Sequence, residues 1–350
     1  MVKKILYGML LFGAAGVIAN LMGASPLLVF VLSALGLIPL ADLIGESTEE
    51  LAIYTGPRIG GLLNATLGNA AELIITIFAI KEGLLELVKA SITGSIIGNL
   101  LLVLGASLLI GGLKNGVQKF DRRQASLNAT LMVLAVVALA IPSLFSAAIE
   151  PDLAAEKLFS ESVAVVMILI YVLSLVYSMT SARGPMSREP AVSHEARWSL
   201  PRVIVTLLLA TVGTALISEV LVGAVEHVTE TLGLTELFIG IILVPLIGNV
   251  AEHLVAVEVA AKNQMELSLS VSLGSSLQIA LFVAPVLVFI SLLFDQSLLL
   301  IFNSFELAAL MGASAVAALI ALDGESNWLE GAMLLAVYLI LGLAFFFLPG

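Results

Sequence analysis

Apolar runs of about 20 residues recur along this chain of 350 residues. A helix of that length crosses roughly 30 Å of hydrocarbon, and a backbone in lipid must satisfy its hydrogen bonds within its own segment. Hydrophobic residues make up 60% of the chain and charged residues 12%, which is about half the charged share of a soluble domain. The sequence therefore predicts an all-α polytopic membrane protein.

We predict about eleven transmembrane helices. The first is a retained helix and not a cleaved signal peptide, because no small-residue cleavage site follows it. Gly and Pro interrupt several spans, notably at Gly68 and Gly248, and such breaks are tolerated where neighbours satisfy the freed backbone. The predicted spans are residues 5–22, 27–45, 58–80, 86–113, 124–148, 161–181, 202–224, 236–261, 265–294, 298–321 and 328–348.

The basic residues orient these spans. With the N-terminus in the cytoplasm, all Lys and Arg residues except Lys81, Lys89 and Lys157 fall on the cytoplasmic side. The positive-inside rule therefore supports a cytoplasmic N-terminus and an outside C-terminus. We expect a multi-pass protein of the cell membrane, since a chain this short is more typical of a prokaryotic plasma membrane than of an organelle.

A duplicated motif divides the chain. Gly68-Asn69-Ala70-Ala71-Glu72 recurs 180 residues later as Gly248-Asn249-Val250-Ala251-Glu252. Glu86-Leu87 and Gly94-Ser95 recur at the same offset as Glu266-Leu267 and Gly274-Ser275. Five predicted spans separate the copies, so the copies face opposite sides of the membrane. Inverted repeats of this kind place a transport site at their interface.

The repeat gives the predicted organisation. An extra N-terminal helix occupies residues 1–24, the first five-helix repeat 25–182, a cytoplasmic loop 183–201, and the second five-helix repeat 202–350.

Glu72 and Glu252 are the candidate ion-binding residues. A charged carboxylate at the centre of a membrane helix costs on the order of 3 kcal/mol to insert, so it requires a reason. Residues three apart share a helix face, so Asn69 and Asn249 accompany their glutamates. If the repeats meet, two carboxylates and two amide oxygens converge.

This donor set suits a divalent cation of the calcium type, which takes six to eight hard oxygen ligands. Two carboxylates close together in a low dielectric repel each other, so an empty site should hold protons that a bound Ca²⁺ drives off. One site that holds either ion couples their exchange. Ca²⁺ and H⁺ are then the transported partners, without a cofactor. The net charge of −11 speaks against nucleic acid as a partner.

Other polar residues in the spans form a candidate second layer, in which ligand and packing roles stay open. Small polar residues are ordinary packing material between membrane helices. Glu258 could line an access path or sit near the interface, and Glu306 is a further intramembrane acid without a repeat partner. Asp42 and Glu219 lie near span ends, where a role as a gate and simple solvation are both open. The second-layer candidates are Ser95, Asn99, His253, Glu258, Ser275, Ser276 and Gln278.

The paired Gly-Asn-x-x-Glu motifs resemble those of the cation/proton exchanger family, the branch of the Ca²⁺/cation antiporter superfamily typified by Ca²⁺/H⁺ antiporters. The resemblance covers roughly residues 27–113 and 202–294, including both Gly-Ser segments. It implies that Glu72 and Glu252 form the central Ca²⁺ and proton site in an eleven-helix fold with alternating access. The Ser/Thr-Pro-rich motif of related Na⁺/Ca²⁺ exchangers is missing here.

Three alternatives remain at this level. Oxygen ligands do not separate Ca²⁺ sharply from Mn²⁺, and sodium coupling is a variant of the same design. A channel is disfavoured because channels gather rings by oligomerisation, although the sequence leaves homo-oligomers open. An intramembrane metalloprotease would need His-Glu-x-x-His, whereas this chain has Glu252-His253 without that spacing, so we do not expect an enzyme.

Overall fold

The computed structural model describes residues 2–148, 152–180 and 196–348. Most of the loop predicted at 183–201 lies outside the described residues. The helices are α1 (Val2–Leu21), α2 (Pro26–Leu67), α3 (Ala70–Lys81), α4 (Leu85–Ile97), α5 (Leu104–Asn115), α6 (Arg122–Ala148), α7 (Leu153–Thr180), α8 (Leu200–Gly223), α9 (Val225–Leu232), α10 (Glu236–Phe238), α11 (Val244–Gly248), α12 (Val250–Ala261), α13 (Met265–Gln278), α14 (Ala284–Ser291), α15 (Ser304–Asp323) and α16 (Trp328–Phe347). Three π-helical turns (Gly98–Val103, Ile239–Leu243, Ile279–Val283), one 3₁₀ turn (Leu292–Phe294) and two short strands, β1 (Gln118–Lys119) and β2 (Glu325–Ser326), complete the regular structure.

The predicted all-α polytopic class is confirmed. Within the described residues, eight helices are long and apolar enough to cross a membrane. The number is nine if Val225–Leu232 and Glu236–Gly248, which meet at 114°, form one span. A shorter apolar helix covers Ile5–Leu21. The number eleven and the inverted relation of the repeats stay predictions.

The second predicted span ends too early. Helix α2 continues through residues 46–55, which we expected to be a loop, and kinks at Gly56 with φ 79°. The polar side chains of this extension are accommodated: Ser47 and Thr48 are buried, and Thr48 Oγ1 donates to the carbonyl of Ile44 at 2.8 Å. Only glycine adopts that φ readily, so the break falls at Gly56.

The breaks expected at the two Gly-Asn motifs are confirmed. Helix α3 begins directly after Asn69 and α12 directly after Asn249, and each is 12 residues long. The following helices, α4 and α13, each run into a π-helical turn. The two copies therefore share one order of local elements, which a duplication predicts.

The predicted start of the tenth span, residue 298, is too early, because the helix of the structure begins at Ser304. Residues 298–302 belong to no helix or strand, and Leu298, Leu300 and Phe302 are buried in alternation. Serine side chains satisfy this backbone: Ser143 Oγ accepts from the amide of Phe302 at 2.9 Å, and Ser160 Oγ from that of Leu300 at 3.3 Å. Helix α15 begins only at Ser304.

The chain forms two compact units that both draw on the two predicted repeats. Unit 1 comprises Met1–Ser91, Pro190–Ala251 and Phe346–Gly350. Within it, α1 and α8 pack against α2, and a Cβ at Gly36 would overlap the backbone of Gly13. Small residues at a helix crossing allow this close approach.

Unit 2 comprises Ile92–Glu189 and Glu252–Phe345. Strands β1 and β2 pair antiparallel, with Gln118 opposite Ser326. The side-chain amide of Gln118 also donates to the carbonyl of Ala260 and to Asn263 Oδ1, both at 3.0 Å. Three loops, those between α5 and α6, α12 and α13, and α15 and α16, therefore meet at one end of unit 2.

Candidate ion-binding site

Glu72 lies in the first turn of α3, inside unit 1, and is 2% exposed. The break at Gly68-Asn69 is the reason, because it starts a new helix in the protein interior. The N-terminal turn of a helix presents unpaired N–H groups and a positive dipole end, which favour a carboxylate. Asn69 is the buried N-cap residue of this helix.

Asn249 contacts this carboxylate directly. Its Nδ2 donates to Glu72 Oε1 at 2.6 Å, and the residue is itself buried. Asn249 lies between α11 and α12, at the second helix break. The contact therefore joins the glutamate of one motif copy to the asparagine of the other.

Gly248 leaves room for Glu72. A Cβ at this position would lie 3.0 Å from Glu72 Cγ, closer than ordinary van der Waals contact. The glycine of the second copy thus lets α11 approach the carboxylate of the first, as the motif predicts for a close approach.

Glu252 occupies the first turn of α12 and is half-buried. Unit 1 ends at Ala251, so Glu252 and the half-buried His253 begin the second segment of unit 2. The pairing of Glu72 with Glu252 stays a prediction.

Five of the second-layer candidates in unit 2 are buried polar groups, namely Ser95, Asn99, Ser275, Ser276 and Gln278, and two of them are hydrogen-bonded to each other. Asn99 Nδ2 donates to Ser275 Oγ at 3.1 Å. Asn99 lies in a π-helical turn, a feature frequent at functional sites. Ser276 Oγ donates to the carbonyl of Ser272 at 3.0 Å, which is ordinary packing of a serine within its own helix.

Two acids, Glu258 and Glu219, have lysine partners that explain them without an ion. Glu258 is exposed and pairs with Lys262 at 2.6 Å, so of its two readings the surface position is favoured. Glu219 pairs with Lys81 at 2.8 Å, both half-exposed. Asp42 is half-buried on α2.

Glu306 is buried but serves as a helix cap. Its Oε2 accepts from the amide of Asn303 at 2.9 Å, and the Asn303 side chain accepts from the amide of Glu306. Thr93 Oγ1 donates to Glu306 Oε1 at 3.0 Å. Sequence reasoning missed this role, although Asn-x-x-Glu before an apolar run is a capping-box signature.

Glu50 was also missed. This buried carboxylate accepts from the amides of Arg197 at 2.9 Å and Trp198 at 3.3 Å, and Tyr54 OH donates to the carbonyl of Trp198 at 2.6 Å. These bonds fasten the segment before α8 to α2. Nothing in the sequence links positions so far apart.

Within the described residues, no three His, Asp or Glu side chains are grouped as a metal centre. An ion held near Glu72 would therefore rely on amide, hydroxyl and backbone oxygens beside the carboxylates, which calcium accepts readily.

Known proteins match this chain over nearly its whole length. Residues 25–180 and 202–347 match the family described as "Sodium/calcium exchanger protein". A protein of Aphanothece halophytica named "Ca(2+)/H(+) antiporter" is 45% identical over 367 residues, covering 99% of this chain and 97% of its own length. The "Ca(2+)/H(+) antiporter ChaA" of Bacillus subtilis (strain 168) is 45% identical over 338 residues, covering 95% of each chain. The solved structure described as the selenium-substituted Ca²⁺/H⁺ antiporter protein YfkE matches with a TM-score of 0.86 and 41% identity over 99% of this chain and 100% of that one.

Proposed function

The chain belongs to the sodium/calcium exchanger protein family, and we propose that it exchanges Ca²⁺ for protons across a membrane, with Glu72 and Glu252 binding the two ions in turn. It is a polytopic membrane transporter with Ca²⁺ and H⁺ as its transported ions. Its relatives at 45% identity carry the name Ca²⁺/H⁺ antiporter.

The observation that carries the proposal is the contact of Glu72 with Asn249. A buried carboxylate and an amide from the two motif copies lie 2.6 Å apart. Carboxylate and amide oxygens are the hard ligands that Ca²⁺ prefers. The bond uses the Nδ2 of Asn249, so the side-chain Oδ1 of this residue is directed away from Glu72 Oε1. An amide oxygen of this kind is suited to an ion or to a backbone donor.

Coupling follows from competition at one site. Two carboxylates in a low dielectric cannot both stay charged without a cation, so either protons or Ca²⁺ compensate them. Loading Ca²⁺ displaces protons, and loading protons displaces Ca²⁺. Because the site never holds Ca²⁺ and protons at the same time, alternating access exchanges one ion for the other.

We further propose that the N-terminus is cytoplasmic and the C-terminus outside. The three loops that meet at one end of unit 2 through Gln118 and the β1–β2 pair are all assigned to the cytoplasm by this topology. Lys81 and Glu219, which pair in unit 1, are both assigned to the outer side. Both sets of contacts support the alternation of spans, and the inverted five-helix repeats are part of the same proposal.

The test is Ca²⁺ uptake by purified protein in sealed proteoliposomes. We expect an imposed pH gradient to drive uptake and a matched Na⁺ gradient to leave it unchanged. Uptake driven only by the Na⁺ gradient would retain the site and replace the coupling ion. Transport of Mn²⁺ in preference to Ca²⁺ under the pH gradient would replace Ca²⁺ by Mn²⁺ as the proposed transported ion. Uptake under neither gradient would overturn the proposal.

A further inference from the structure

A cleft with polar and apolar lining lies between the first turns of α6 and α13 in unit 2. It is small and partly open to solvent, with room for about one water-sized particle. Its polar lining consists of Asp121, Gln124, Asn128, Glu266 and Ser270. None of these residues belongs to the two Gly-Asn-x-x-Glu copies or to the second-layer candidates.

Asn128 provides the first sign of a ligand. The residue is 2% exposed, and its Oδ1 accepts no hydrogen bond from any residue in the described part of the chain. Burying an acceptor without a donor is unfavourable, and native proteins almost always provide a partner. A cation, or water bound to one, would supply that partner inside the cleft.

Glu266 provides the second sign, through comparison with its repeat counterpart. Glu86, 180 residues earlier, pairs with Lys89 three positions on in its own helix. The position three residues after Glu266 is Leu269, and α13 contains no Lys or Arg. The lysine partner of the first copy is thus absent from the helix of the second, where Glu266 lies in the first turn and lines the cleft.

Asp121 adds a second carboxylate to the lining. Its Oδ1 caps α6 by accepting from the amides of Arg123 at 2.8 Å and Gln124 at 3.1 Å. The neighbouring Arg122 and Arg123 are exposed and do not line the cleft. The capping bonds hold Asp121 in place beside Asn128 and Glu266.

We propose that this cleft is a second cation-binding site, which takes a divalent cation of the Ca²⁺ or Mg²⁺ class and is separate from the transport residues. Two carboxylates, two amides and a hydroxyl are a hard-oxygen donor set, and water completes the coordination shell of such ions. The site lies at the end of unit 2 where the three loops meet. Helix α13 also carries Ser275 and Gln278, so an ion at its first turn would fix the helix that presents them.

The experiment is isothermal titration of the full chain in detergent with CaCl₂ and, separately, MgCl₂. The background is the double variant Glu72→Gln, Glu252→Gln, which removes both transport carboxylates. We expect this background to bind one cation per chain. Adding Glu266→Gln should weaken binding at least about tenfold, because ligand charge sets the affinity of such sites.

Asn128→Asp should tighten binding, since it adds charge without changing shape. Glu230→Gln is the matched control, because Glu230 is an exposed glutamate that does not line the cleft, and it should change nothing. No binding in the double variant, or unchanged affinity in Glu266→Gln, would overturn the proposal. Neither result depends on whether the chain exchanges Ca²⁺ for protons.

Discussion

The two Gly-Asn-x-x-Glu copies have the same local structure but different surroundings. In each, a helix break places the glutamate in the first turn of a 12-residue helix. Glu72 is buried and is followed by Leu73, whereas Glu252 is half-buried and is followed by His253. Duplication therefore repeats the helix geometry that holds a carboxylate, while the exposure of that carboxylate depends on the packing around each copy.

The largest expected effect comes from neutralising either motif glutamate. Glu72→Gln and Glu252→Gln should each lower pH-driven Ca²⁺ uptake at least about a hundredfold, because each removes a charged ligand and a proton carrier. Both variants should still insert and run as single species on size exclusion. Normal uptake by the Glu252 variant alone would show that the buried copy suffices and that the two are not equivalent.

Substitution of Asn249 tests the hydrogen bond that joins the second motif copy to the glutamate of the first. Asn249→Ala removes the donor to Glu72 and should raise the Ca²⁺ concentration for half-maximal uptake about tenfold, since hydrogen bonds to charged groups are among the stronger ones. Ser276→Ala, which removes a hydroxyl bonded within its own helix, is the control. If Asn249→Ala behaved like Ser276→Ala, the contact with Glu72 would have no part in ion binding.

Gly248→Ala tests the close approach of the second copy to the first. The new Cβ would press on Glu72 Cγ and displace the carboxylate, and we expect uptake to fall about fivefold to a hundredfold, as overpacking costs roughly 1–3 kcal/mol. Gly312→Ala is matched, because a Cβ at that helical position would meet no atom within 4 Å beyond its chain neighbours and the backbone of its own helix. Equal activity of the two variants would contradict the tight fit at Gly248.

Glu306 is a buried acid outside the two motifs, against which the motif acids can be compared. Glu306→Gln should retain uptake within about twofold, because a Gln side chain also completes a capping box. Glu306→Ala should lower the free energy of unfolding by about 1 kcal/mol or more through loss of the cap, measured by thermal unfolding in detergent. Loss of uptake in a stably folded Glu306→Gln variant would instead make this acid part of the transport route.

The helical membrane class and the breaks at Gly68 and Gly248 could be predicted from the sequence, because apolar length and glycine placement are local signals. The helical extension over 46–55 and the non-helical stretch before α15 were not predicted, since Glu50 in the first and the amides of the second have partners distant in the chain. The acceptor role of Glu50 itself requires residues 197 and 198. Asn128 and Glu266 became candidates only once two helix ends lined one cleft.

The serine-held stretch at residues 298–302 has a consequence for measurement. Its amides at Leu300 and Phe302 depend on two hydroxyls, Ser160 Oγ and Ser143 Oγ, and not on a helix or a neighbouring strand. Hydrogen exchange at such amides reports the separation of the helices that carry the hydroxyls, since no ladder of further bonds must open with them. Deuterium uptake at Leu300 and Phe302 therefore measures how often α6 and α7 separate from residues 298–302.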